Sequence, residues 1–166
     1  MSRPRRIPRS LARAPIWIFR LGVGGVFGGR LIMVEHRGRT TGRIRQVVLE
    51  TVARQGQVHD VVSGYGWSAQ WLRNVEADPR VRLWAGWGRG TSARARILPA
   101  DEARDVLERY RTDHPVAAQA LGRALGLEPL RTGEPLPPEV ADALPVVRIT
   151  PRAGGGDKSA VGAGRG

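Results

Sequence analysis

Between Leu31 and Leu98 the chain alternates short apolar segments with glycine-bearing breaks, and this rhythm constrains its fold more than any other feature. Leu31–Glu35, Arg45–Ala53, Val58–Ser63, Val81–Trp84 and Ser92–Leu98 each have strand length and β-branched or aromatic content. Turn residues separate them at Gly38, Gly42, Gln55-Gly56 and Gly86–Gly90. Five strands at such short spacing predict an antiparallel barrel, and Leu144–Ile149, with Val146, Val147 and Ile149 between turn residues, reads as its closing strand. Helices are expected over Gln70–Ala77, ended by Asp78-Pro79, and over Asp101–Asp113, which carries acids in its first turn. In the second of these, Ala103, Val106, Leu107 and Tyr110 follow the i, i+3, i+4, i+7 spacing of a buried stripe. Val116–Leu125 adds a third helix.

A chain of 166 residues is large enough for one domain with a real core and flexible ends. It has no cysteine, which excludes a thiol nucleophile, a disulfide frame and a thiolate metal site. His36, His59 and His114 are scattered and match no zinc spacing, so no metal is expected. The formal charge is +12, and its placement is uneven: up to Arg45 there are eleven arginines against the single acid Glu35. Such asymmetry directs one end or face toward something anionic, whether a phosphate-bearing ligand, an acidic membrane surface or nucleic acid.

Residues 1–30 read as a basic N-terminal segment with an amphipathic helix. Ile16, Trp17, Phe19 and Leu21 beside Arg13 and Arg20 suit either an interfacial helix on anionic lipid or a helix packed over the mouth of the domain. Arg20 interrupts the apolar run and no Ala-x-Ala follows, so the segment does not read as a secretory signal; it is also too short and too charged to span a bilayer. A cytoplasmic protein is expected, with membrane association through this segment as the alternative. Residues 31–150 form the expected barrel domain, and 151–166, mostly Gly, Ala and charge, a disordered tail.

Two local constellations carry chemistry. The first is Arg37-Gly38-Arg39-Thr40-Thr41-Gly42-Arg43-Ile44-Arg45, on a short connection between strands. Backbone amides and hydroxyls can close around a phosphate there while guanidinium forks grip it, with charge-assisted contacts about twice as strong as neutral ones. Glycine and threonine are also ordinary hairpin residues, so an unremarkable surface turn is the competing reading. The second is Ser63-Gly64-Tyr65-Gly66-Trp67-Ser68-Ala69-Gln70-Trp71-Leu72-Arg73-Asn74, where a strand ends on Ser63 and a helix opens near Ser68, whose hydroxyl is placed to cap it. Exposed amides at that helix start favour a ligand oxygen, and Trp67 and Trp71 offer flat walls for a ring system or, alternatively, two core residues one helical turn apart.

Together these motifs resemble the deazaflavin-dependent nitroreductases, split-barrel oxidoreductases that use coenzyme F-420. Gly38 to Arg45 matches a Gly-Arg-x-Thr-Gly-x-x-Arg signature, and Trp71-x-x-Asn74-Val75 followed by Asp78-Pro79-Arg80-Val81 matches a second one in the correct order. The resemblance runs from about Phe19 to Pro115. It implies an α+β protein built on a mostly antiparallel split β-barrel of the FMN-binding type, with an N-terminal helix and two or three packed helices. It further implies that Arg39, Thr40, Thr41, Gly42 and Arg45 hold the phosphate and acidic tail of the coenzyme. Backbone at Val47 and Val48 would border the deazaflavin ring, Ser63, Gly64, Tyr65 and Gly66 would line a loop over it, and Trp71 would pack near it. Hydride would pass directly to a quinone-like, nitro or conjugated small-molecule acceptor, with no nucleophile or metal supplied by the protein.

One departure bears on the acceptor. Nitroaromatic-reducing members carry Tyr-Pro and further tyrosines after the helix corresponding to Asp101–Asp113, whereas this chain has His114-Pro115-Val116-Ala117. Tyr65, Tyr110 and His114 are the remaining polar candidates for the acceptor pocket or for proton donation, His114 because an imidazole titrates near neutral pH. The alternatives are a barrel that uses FMN or binds haem, one that sequesters the deazaflavin without turnover, and a basic nucleic-acid-binding module. The last lacks any helix-turn-helix, zinc finger or RNP-like strand, so no nucleic acid is expected. Monomer and homodimer both remain open.

Overall fold

The computed structural model describes residues 30–87, 89–130 and 135–152. The expected N-terminal helix and all of the expected tail beyond Arg152 lie outside them. Six strands close into one antiparallel barrel: β1 (Leu31–Arg37), β2 (Ile44–Gln55), β3 (Val58–Val62), β4 (Arg80–Trp84), β5 (Thr91–Ile97) and β6 (Val146–Pro151). Their order around the barrel is β1-β2-β3-β6-β5-β4, with β4 returning to β1. The expected strands are all present; β1 runs two residues further than the sequence indicates, which puts His36 and Arg37 in the sheet.

Closure gives every strand an inner face, and helices cover part of the outer one. Val61 and Val147 point into an inner core that draws on all six strands, while their neighbours Val62 and Val146 belong to an outer core beneath the helices. The period-two geometry of a strand thus explains why β3 and β6 read as continuous apolar runs rather than alternating ones. A register shift marks β2 between Thr51 and Ala53, and there the successive residues Val52 and Ala53 both pack against the outer core, a break in the alternation that places Leu49 in the inner one.

Helix α1 (Gln70–Ala77) inserts Trp71, Leu72 and Val75 into the inner core. Helices α2 (Ala100–Asp113), α3 (Pro115–Leu125) and α4 (Pro138–Ala143) form the outer layer. The buried stripe of α2 is Ala103, Val106, Leu107 and Tyr110, as its spacing requires. Helix α4 has only six residues in a proline-containing stretch and left no periodic signal to read; Val140 and Ala141 are buried by packing rather than by propensity.

Two local expectations are corrected. Ser68 does not cap α1: it lies in a short 3-10 turn, Gly66–Ser68, its hydroxyl donates to the Tyr65 carbonyl at 2.6 Å, and Ala69 is the N-cap residue. The tail does not begin at Pro151, because that residue pairs with Ala93 in β6 and the Arg152 N–H donates to the Ser92 carbonyl at 2.9 Å. Among the described residues no helix is long and apolar enough to cross a membrane.

Two polar contacts reinforce the fold, one between neighbouring strands and one between helix and sheet. Asp60 on β3 accepts a bidentate pair from Arg148 of β6, both at 2.8 Å, and its carboxylate is almost fully buried. In the second, α1 is fastened to β1 through the buried side chains of Asn74 and His36, whose Nδ2 and Nδ1 are 3.2 Å apart. Burial lowers the His36 pKa from 6.5 to about 4; the Arg45 guanidinium on the paired strand adds to this, against a backbone hydrogen bond at Arg37.

Asp60→Ala is expected to lower the unfolding free energy by about 2–4 kcal/mol, because it strands a partly buried guanidinium, and urea titration measures it. A second expectation concerns pH. Between about pH 4 and 6.5 the unfolded chain binds a proton at His36 that the folded chain refuses, so the contribution is complete above 6.5 and is lost as the pH falls toward 4. His59, also lowered by burial first, acts with the same sign. The part due to His36, on the order of 3 kcal/mol across this window as read by urea titration at stepped pH, should be lost when His36 is replaced by a non-titrating residue of similar shape, leaving a smaller decline from His59.

Candidate functional site

The arginine-rich segment forms a closed turn between β1 and β2. The Gly38 N–H donates to the Arg43 carbonyl and the Gly42 N–H to the Gly38 carbonyl, both at 2.8 Å. Gly42 sits at φ 65°, a left-handed conformation that a side chain would resist. Arg37 donates to the Gly42 carbonyl at 3.3 Å, and the Arg43 N–H to Thr41 Oγ1 at 3.4 Å. Arg45 is folded along the turn, since a Cβ built on Gly38 would lie 3.4 Å from its Nε. Arg39, Thr40, Thr41, Gly42 and Arg45 are all exposed. The backbone amides of Thr40 and Thr41 bond no described residue, so the turn offers donors and positive charge to solvent.

Helix α1 holds this turn. Asn74 Oδ1 accepts from both the backbone N–H and the guanidinium of Arg39, each at 3.1 Å, and Gln70 Oε1 accepts from the same guanidinium nitrogen at 3.0 Å. Gln70 and Asn74 are one helical turn apart and present one face to Arg39. The two constellations, joined by contacts between residues 31 and 35 positions apart, are therefore a single structure.

Where they meet there is a cavity of about 440 Å³ between the start of β2 and α1. Arg45 and Val47 line one side, Tyr65, Trp71 and Asn74 the other, and among the described residues no carboxylate lines it. Trp71 is held in the inner core and is only 8% exposed, so its indole is a fixed wall. Tyr65, 47% exposed, stands at the rim. Trp67 is equally exposed and does not line the cavity, so of the two tryptophans only Trp71 provides a wall. Val48 is partly buried and does not line it either. Ser63 is fully buried; its hydroxyl donates to the Gly66 carbonyl while the Gly66 N–H returns to the Ser63 carbonyl, both at 2.8 Å. It shapes the Gly64-Tyr65-Gly66 loop from within. His36, Gln46 and Gln70 line the cavity as well; Gln70 lay within the second motif without a role, and nothing in the local sequence marked His36 or Gln46, because strand pairing and helix docking bring them there.

Tyr110 and His114 come together elsewhere. With Arg30 and Thr51 they line a second cavity of about 530 Å³, and neither borders the first. Their rings are 5.7 Å apart at 55°. The Tyr110 hydroxyl donates to Glu50 Oε1 at 3.2 Å, and its pKa is raised to about 12, by burial first and then by the Glu50 charge. A phenol held this way is a poor proton donor near neutral pH.

The first cavity suits a flat ring carrying an anionic arm: the ring would meet indole and aliphatic surface, and the arm would leave past Arg45 toward the exposed turn that carries Arg39, Thr40 and Thr41, which lie outside the cavity's lining.

Comparison with known proteins agrees with that chemistry. Residues 16–124 match the family model described as F-420H(2)-dependent quinone reductase. No curated protein sequence matches the chain. Among solved structures, the haem storage protein HutZ of Vibrio cholerae is similar at 13% identity and TM-score 0.51, covering 86% of this chain and 92% of that one. A Listeria innocua protein assigned as a pyridoxamine 5'-phosphate oxidase is similar at 12% identity and TM-score 0.50, covering 77% and 88%. These two likenesses bear on the fold alone and place it among the split barrels. An F-420-H2 dependent reductase, FDR-A, is 20% identical at TM-score 0.48, covering 72% and 93%. The chain belongs to the F-420H(2)-dependent quinone reductase family and is an oxidoreductase that uses coenzyme F-420.

Proposed function

We propose that the cavity between Val47 and Trp71 receives the deazaflavin ring and that the turn from Arg39 to Arg45 holds the phosphate and acidic tail. The observation that carries this reading is a cavity in which Arg45 and the Trp71 indole share the wall, while Arg39, outside the lining, is hydrogen-bonded to its lining residues Gln70 and Asn74. When bound in reduced form, the coenzyme supplies a hydride. The chain's own part is positional. Trp71, fixed by the core, sets the plane of the ring. Arg45 and the Thr40 and Thr41 amides meet the phosphate, and Arg39 extends the same surface toward the tail. Tyr65 and the Gly64–Gly66 loop stand at the open side, where an acceptor would approach, and exclude water there.

The acceptor class that best fits is a small quinone-like molecule, since a flat conjugated acceptor can lie against the ring at the rim marked by Tyr65. The basic segment before Arg30 is the part of the chain suited to an anionic membrane surface, where lipid-soluble quinones reside. The full chain is then expected to co-sediment with vesicles containing anionic lipid and to lose that behaviour when residues 1–29 are removed; equal binding of both forms would remove this role from the segment.

Arg39→Ala and Arg45→Ala should each raise the Kd for the deazaflavin roughly ten- to a hundredfold, the loss expected for one charge-assisted contact. Equilibrium titration with the deazaflavin and with FMN measures this. Tighter retention of FMN, or unchanged affinity in both variants, would count against the assignment.

A further inference from the structure

Asn74 is 3% exposed and His36 is 4% exposed; apart from the hydrogen bond between His36 and the Arg37 backbone, their side chains meet each other and Arg39. Asn74 Oδ1 receives two hydrogen bonds from Arg39, one from the main chain and one from the guanidinium. That fixes the amide's orientation: its Nδ2 faces His36 and must donate, so His36 Nδ1 accepts and the ring proton sits on Nε2. The imidazole is thus neutral, and it stays neutral in a strongly cationic setting. Arg45 faces it from β2, and the cleft on its other side carries Asp78 after α1, Arg80 and Arg82 on β4, and Arg152 beyond β6, with Glu35 and Arg37 flanking it on its own strand.

We propose that Asn74 is the positioning residue for coenzyme capture, holding the Arg39 main chain and guanidinium in the orientation that meets the anionic tail, and that neutral His36 holds Asn74 by accepting its amide proton. This rests on the proposed placement of the coenzyme in the cavity. An arginine on an exposed turn would otherwise lose rotamer freedom on meeting its ligand, and Asn74 and Gln70 bear that cost in advance. Trp71, Leu72 and Val75 lock the helix that carries them, so the turn inherits the rigidity of the core.

A double-mutant cycle on deazaflavin affinity tests this. Asn74→Leu should raise the Kd about tenfold in the parent and less than about threefold when Arg39 is already Ala, since its effect passes through Arg39. An equal effect in both backgrounds would overturn the positioning role. His36→Asn, which places an oxygen near the former Nδ1, should keep the parent Kd, whereas His36→Leu should match Asn74→Leu; loss of affinity in both would overturn the part assigned to His36. Nitrogen NMR of the unmutated full chain gives a readout independent of how the variants fold: it should show the Nε2–H tautomer at His36, and an Nδ1–H tautomer would refute the arrangement. Were Arg39→Ala alone without effect, the placement of the coenzyme would fail; were it to weaken binding while Asn74→Leu did not, only the present inference would.

Discussion

The docking of one short helix on the barrel is the contact on which the site depends. Apolar side chains of α1 reach the inner core, and its polar face meets the turn between β1 and β2. Eight residues are too few to form a stable helix in isolation, so α1 exists because its Trp71, Leu72 and Val75 are buried. The same burial aims Asn74 and Gln70 at Arg39. Core packing and the proposed ligand recognition are two faces of one element.

Charge makes this arrangement more than mechanical. Arg37, Arg39, Arg43 and Arg45 crowd a turn of a few residues, and the nearby carboxylates are engaged elsewhere: Glu35 with Gln46, Asp78 with Arg80. Positive groups left facing one another repel, and the barrel tolerates this because they are exposed and screened by water. An anionic arm would relieve that repulsion, so the energy set aside in folding is recovered on binding. His36, kept neutral in the middle of this field, avoids adding a further buried charge.

Much of the fold could be read from residues alone. Strand length, β-branching and glycine breaks located all six strands, and the stripe of α2 located its buried face, because those signals are local and periodic. The six-residue helix α4 and the true N-cap of α1 escaped, since both are settled by what packs around them. In the site, the Gly38–Arg45 and Ser63–Asn74 motifs were legible as units, and Trp71 as a wall. Trp67 shared its motif but not its environment. Tyr110 and His114 are near one another in sequence and in space, yet they border a separate cavity, which no spacing rule could have revealed.

The sequence by itself determined the barrel's strands, the arginine-bearing glycine turn and the family to which the chain is similar, because backbone conformation and binary patterning act over a few residues. Tertiary structure alone decided that Asn74 meets Arg39, that His36 faces Asn74 across thirty-eight positions, and that Trp71 rather than Trp67 lines the cavity. Those contacts join segments distant in the chain, and their geometry follows from how the helix seats on a closed sheet, a property of the whole assembly that no local run of residues encodes.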